Sequence, residues 1–137
     1  MITLDNQTNI EININILEKI SKTDKEIELV IVDNKTMQTI NFEQREVDKT
    51  TDVLSFPLED FPHFPLGSIV INSDLATIKA KELGHDFKDE ITLMFIHGLL
   101  HVKGYDHECD NGEMRKEEEK LIKEFNLPKS LIIRTDS

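Results

Sequence analysis

The chain has 137 residues, 38% of them hydrophobic and 31% charged, with a formal net charge of −11. That length is expected to fold as a single domain spanning 1–137. The acidic balance counts against broad, nonspecific binding to nucleic acid, which depends on neutralising phosphates, but leaves room for a local basic cleft. No apolar run approaches the roughly 20 residues a membrane helix needs. The stretch Met1-Ile2-Thr3-Leu4-Asp5-Asn6 has neither a basic region nor a small-residue cleavage site, so no signal peptide is expected. A single cysteine, Cys109, excludes an intramolecular disulfide; together these features favour a reducing cytoplasm.

Residues 2–5 read as a short strand. From Asn9 or Glu11 to Ile20 two periods compete. Ile12, Ile16 and Ile20 fit a helix, whereas Ile12-Asn13-Ile14-Asn15-Ile16 alternates as a strand. Helix is preferred, because Leu17-Glu18-Lys19-Ile20 continues the helical face. Ile27-Glu28-Leu29-Val30-Ile31-Val32-Asp33 is the clearest strand, rich in β-branched residues. Asn34 is placed to cap a helix from about Lys35 to Arg45, with Met37, Ile40 and Phe42 on its buried side. Val53-Leu54-Ser55-Phe56, stopped by Pro57, reads as a strand at an edge or end of the sheet.

Glu59 to Pro65 is expected to be a loop, followed by a strand over Ser68-Ile69-Val70-Ile71-Asn72. Asn72 or Ser73 then caps a helix from Asp74 to about Leu83, ended by Gly84. A long helix follows, from Phe87 or Lys88 to about Lys103, apolar nearly all round and therefore central. A last helix, about Asn111 to Phe125, presents Met114, Leu121, Ile122 and Phe125 to the core. Glu117-Glu118-Glu119 reads as its solvated face. Pro128 ends it, and Leu131-Ile132-Ile133 forms a loose tail. The predicted fold class is α+β, a small mixed sheet packed with helices.

The chemistry concentrates at the end of the central helix. In His97-Gly98-Leu99-Leu100-His101-Val102-Lys103-Gly104-Tyr105-Asp106-His107, the first two histidines stand at i and i+4. Such positions are neighbours on one helix face, with Cβ atoms about 5–6 Å apart. Gly104 suits a helix end, and the turn lets His107 swing back as a third ligand. Three protein ligands leave a tetrahedral zinc one position for water, the pattern of a catalytic site. The spacing also matches the ligands and glycine of metzincin proteases. Those proteases carry a glutamate general base directly after the first histidine, where this chain has Gly98. Peptide hydrolysis by that route is therefore disfavoured.

The histidine run resembles the signature of the YbeY endoribonucleases. Two further segments resemble that family: Ile40-Asn41-Phe42-Glu43-Gln44-Arg45 with Thr51-Asp52-Val53-Leu54-Ser55-Phe56-Pro57, and Leu66-Gly67-Ser68-Ile69-Val70-Ile71. The resemblance runs from about Ile27 to Phe125. It implies one zinc ion per chain on His97, His101 and His107, and a functional arginine at Arg45. The activity it implies is single-strand-specific endoribonuclease cleavage in small-subunit (16S) ribosomal RNA 3′-end maturation. It further implies roles in ribosome quality control and late assembly, with the small subunit and its assembly factors as partners. Ser68 departs from the acidic residue usual after the glycine, and Gln44 from a common aromatic.

Arg45 suits phosphate recognition through its planar fork of donors; its position alone favours an exposed arginine at the helix's negative pole, and the family resemblance reverses that preference. No general base is evident. Asp106 is a candidate, or it orients a histidine ring; Glu108 is weaker. Cys109 as a fourth ligand would close the site. His63 and His85 are expected to be solvated, and Tyr105 to pack at the turn. Attack by a zinc-activated water and attack by the RNA's 2′-hydroxyl both stay open. Two other readings stand beside the nuclease: a metal-dependent hydrolase of another substrate, and a noncatalytic, zinc-stabilised ribosome assembly factor.

Overall fold

A computed structural model of the chain describes residues 1–58, 65–105 and 112–127. The elements follow in the order β1 (Ile2–Asn6), α1 (Asn15–Ser21), β2 (Ile27–Val32), α2 (Asn34–Arg45), β3 (Val53–Pro57), β4 (Gly67–Asn72), α3 (Ser73–Leu83), α4 (Phe87–Val102) and α5 (Glu113–Glu124). The four strands form one sheet in the order β1-β2-β4-β3. β1 runs parallel to β2 and β2 parallel to β4, whereas β3 is antiparallel to β4 at the edge. The α+β class with a mixed sheet is therefore observed, and Pro57 does fall on an edge strand.

Side-chain alternation sorts the core into two layers. On one face of the sheet, Ile27, Leu29, Ile31, Ile69 and Ile71 join α4 and residues of α1, α3 and α5. On the other, Val30, Val32, Val70 and Leu54 pack with Met37 of α2. β2 and β4 are covered on both faces, which is why both read as nearly continuous apolar runs. α4 lies at the centre of the thicker layer. Every residue from Glu90 to Ile96 is buried, as are Gly98, Leu99, Leu100 and Val102.

Asn72 ties three elements together. Its Oδ1 accepts hydrogen bonds from the backbone N–H groups of Asp74 (3.0 Å) and Leu75 (3.2 Å), capping α3. Its Nδ2 donates toward Asn34 Oδ1 (2.9 Å), Thr50 Oγ1 (3.0 Å) and Thr51 O (3.1 Å). The side chain is fully buried, so these contacts replace the water it gives up.

Several local expectations need correction. α1 starts at Asn15, not between Asn9 and Glu11. The asparagines upstream make local bonds that compete with helix. Thr8 N donates to Asn6 Oδ1, Asn6 Nδ2 to Ile10 O and Asn15 N to Asn13 Oδ1. α2 is capped by Asp33, whose side chain accepts from Thr36 N, and not by Asn34. Its buried face carries Met37 and Asn41, whereas Phe42 is 55% exposed. At about 100° per residue, position 41 lies about 40° from Met37 and position 42 about 140° away. Asn41 donates its Nδ2 to Lys49 O at 2.8 Å, whereas its buried Oδ1 has no hydrogen-bond partner among the described residues. The expectations for Pro128 and for Leu131-Ile132-Ile133 fall outside the described residues, as does most of the loop from Glu59 to Pro65.

Candidate metal centre

The last turns of α4 carry the paired histidines. The unbroken apolar run anchors the helix, and its end is closed tightly. Gly104 N donates to His101 O and Tyr105 N to Leu100 O, both at 3.0 Å. Gly104 has φ of +104°, a conformation that costs glycine little and other residues more. Tyr105 packs against the core, as expected for a turn residue.

His97 Nε2 and His101 Nε2 are 3.2 Å apart, with ring centroids at 4.7 Å and planes crossing at 76°. Two imidazole nitrogens bound tetrahedrally to one zinc at 2.0–2.1 Å would be separated by about 3.3 Å. The two rings therefore fit one shared ion. His107, Asp106, Glu108 and Cys109 lie outside the described residues, as does His63. Among the described residues no set of three histidine, cysteine or carboxylate side chains is grouped for a metal ion.

A third side chain joins the pair from α5. Glu118 Oε1 is 3.2 Å from His97 Nδ1. Glu118 is 3% exposed, so the solvated reading of Glu117-Glu118-Glu119 fails at its middle member. The signal was present in the spacing. Met114, Leu121 and Ile122 lie at i−4, i+3 and i+4 from Glu118, so all four share one buried stripe.

Gly98 faces the sheet. A Cβ there would stand 2.7 Å from Ile69 Cγ2 and 3.3 Å from Ser55 Oγ. The position that holds the glutamate base in metzincins is here a packing contact between α4 and β4.

Arg45 is the last residue of α2, exposed, on the layer across the sheet from α4. Among the described residues the structure brings His97 and His101 together. Beyond the helix end, Lys103 Nζ donates to Ser21 O at 2.7 Å. Burial pushes its ammonium below the ordinary lysine value, with Glu117 opposing and Lys22 reinforcing the shift. His85 is not solvated: its Nε2 lies 2.6 Å from Glu90 Oε2, with side-chain exposures of 4% and 0%.

A mixed sheet backed by a buried helix that ends in two converging histidines defines an α+β protein with a candidate metal centre. Residues 3–126 match the family model described as Endoribonuclease YbeY, and the chain belongs to that family. It is 58% identical over 138 residues to Endoribonuclease YbeY of a Nitratiruptor species, covering 98% of this chain and 96% of that protein. With the protein of the same name from Campylobacter jejuni (strain RM1221) it shares 66% identity over 112 residues, 81% of this chain and 83% of the relative. The solution structure of TM1509 from Thermotoga maritima superposes with a TM-score of 0.64 at 27% identity, covering 91% of this chain and 89% of that one.

Proposed function

We propose that this chain is a zinc-dependent, single-strand-specific endoribonuclease. Its proposed role is maturation of the 16S ribosomal RNA 3′ end and late small-subunit assembly and quality control in the cytoplasm. Membership of the endoribonuclease YbeY family supports the nuclease reading. The observation that carries the metal is the 3.2 Å convergence of His97 Nε2 and His101 Nε2.

In this reading His97, His101 and His107 hold one zinc ion per chain. Zinc, when bound, polarises a phosphoryl oxygen and makes a water molecule a stronger nucleophile at neutral pH. The chain's own residues do the rest. The fixed end of α4 orients both rings before substrate arrives. Arg45 offers its fork of donors to the non-bridging oxygens of the phosphodiester. Its exposure leaves that fork available to a strand of RNA. The ribosomal small subunit and its assembly factors are the proposed partners.

The test is metal content of the untagged chain beside His101→Ala, followed by incubation of both with single-stranded RNA. One zinc per chain and RNA cleavage, both lost in the variant, are expected. A chain that takes up no zinc even when zinc is supplied would overturn the reading. Zinc binding without cleavage would favour the assembly-factor role. A 2′,3′-cyclic phosphate on the products would identify the RNA's own 2′-hydroxyl as the nucleophile.

A further inference from the structure

We infer that Glu118 is the positioning residue of the metal centre, fixing the His97 ring in the tautomer that presents Nε2 to the ion. This rests on the zinc reading above and on the contact between Glu118 and His97. A carboxylate brought out of water carries a large desolvation penalty unless a partner offsets it. Glu118 is 3% exposed and sits in the apolar stripe of α5 with Met114, Leu121 and Ile122. His97 Nδ1 faces its carboxylate at 3.2 Å.

An ionised carboxylate accepts hydrogen bonds and donates none. The hydrogen of a neutral His97 ring is therefore held on Nδ1, donating to Glu118 Oε1. Nε2 then carries the ring's lone pair, and Nε2 is the atom that faces His101 Nε2 at 3.2 Å. With the hydrogen on Nε2 instead, the ring would present N–H to the place where the ion must sit. The contact also sets the ring plane, and through it the 76° crossing with His101. Histidine ligands characteristically donate their second nitrogen to such an acceptor, and losing it typically weakens metal binding about 10–100-fold. The acceptor here comes from a helix remote in sequence, so the docking of α5 and the readiness of His97 are a single event.

The experiment compares the full-length wild type with Glu118→Leu and Glu118→Gln. Zinc affinity is measured by competition with a chromophoric chelator. The His97 tautomer is read by imidazole ¹⁵N–¹H correlation in the metal-free chain, and thermal melting of the same metal-free samples reports folding. Wild type is expected to show the Nδ1–H form. Glu118→Leu is expected to lose that preference and bind zinc about 10–100-fold more weakly. Glu118→Gln keeps the volume and an acceptor oxygen but not the charge. It is expected to keep the tautomer and weaken zinc by less than tenfold, and it carries the test if the leucine variant fails to fold. Wild-type zinc affinity and an unchanged tautomer in a folded Glu118→Leu would overturn the inference. So would an Nε2–H form in the wild type. A wild type that binds no zinc yet shows the Nδ1–H form would instead sink the zinc reading and leave the Glu118–His97 contact standing.

Discussion

Gly98 lies so close to Ile69 that a β-carbon on the glycine would come within 2.7 Å of Ile69 Cγ2. Ile69 is fully buried and β-branched, so it has little freedom to swing aside. Gly98→Ala should therefore lift the end of α4 off the sheet. Overpacking of this kind costs about 1–3 kcal/mol. A lower melting temperature and a weakened response to added zinc are expected together, because the helix that moves also carries His97 and His101. A variant that melts with the wild type would show that the contact is softer than the geometry indicates.

Asn72 offers a second stability test. Asn72→Ala removes the cap of α3, worth about 1 kcal/mol. It also removes the Nδ2 donor from Asn34 on α2, which is exposed, and from the half-buried Thr50 and Thr51 before β3, at about 0.5–1.5 kcal/mol for each hydrogen bond lost. A combined loss of roughly 2–4 kcal/mol in urea unfolding is expected. Asn72→Asp should restore the cap but not the donations from Nδ2, and so recover only part of the loss.

Asp33 predicts the sign of an acid effect. The hydroxyl of Thr36, then its backbone N–H, holds the Asp33 carboxyl below its ordinary value of 3.8. A carboxyl depressed in the folded state binds its proton more readily when unfolded. Its contribution is thus complete above the unfolded value and disappears as pH falls through the folded one. Carboxyl NMR titration should place the Asp33 midpoint below 3.8, and Thr36→Val should raise it. The stability gap between wild type and Asp33→Ala should narrow on acidification below that ordinary value, and a gap that widens there would mean that folding does not depress the Asp33 carboxyl.

His85 and Glu90 form a buried pair across the start of α4, 2.6 Å apart. Removing the imidazole takes a hydrogen bond from a carboxylate with no exposed surface. A double-mutant cycle over His85→Ala and Glu90→Ala should return a coupling energy of about 1–3 kcal/mol. A coupling near zero would mean that the two side chains are satisfied independently.

Arg45 should behave in the opposite way. It is exposed at the end of α2, so Arg45→Ala is expected to melt within about 0.5 kcal/mol of wild type. RNA cleavage should nonetheless fall by at least about tenfold, the minimum for losing a charge-assisted contact of roughly 1.5–3 kcal/mol. Intact processing of ribosomal RNA ends in cells carrying a stable, zinc-bound Arg45→Ala protein would remove the role proposed for it.

Much of the architecture could be read from the chain because its strongest signals were local. β2, β4 and α4 are long apolar runs with clear ends, and the histidine spacing survives on α4 as an adjacent pair. The misreadings share a cause: the deciding interaction came from elsewhere in the chain or from a side chain bonding its own backbone. Asn41 displaced Phe42 from the core by bonding the loop at Lys49. The asparagines before α1 bonded their own backbone and delayed the helix. His85 and Glu118 read as solvated because the sequence around each is polar, yet His85 is buried against Glu90 at the start of α4 and Glu118 against His97 near its end. The placement of Gly98 against Ile69 gives a physical reason for a motif that matches a protease in its ligands but lacks its glutamate.

The enclosure of α4 has a kinetic consequence. Its amides from Glu90 to Ile96 sit behind buried side chains on neighbouring elements, so they should exchange with deuterium chiefly when the whole domain opens. His97 and His101 extend directly from that slow-exchanging segment. Their separation is therefore a property of the domain's most persistent part, held for as long as the domain itself stays closed. Occupation of the pair should leave the exchange pattern of α4 unchanged and act instead on how often the entire molecule unfolds.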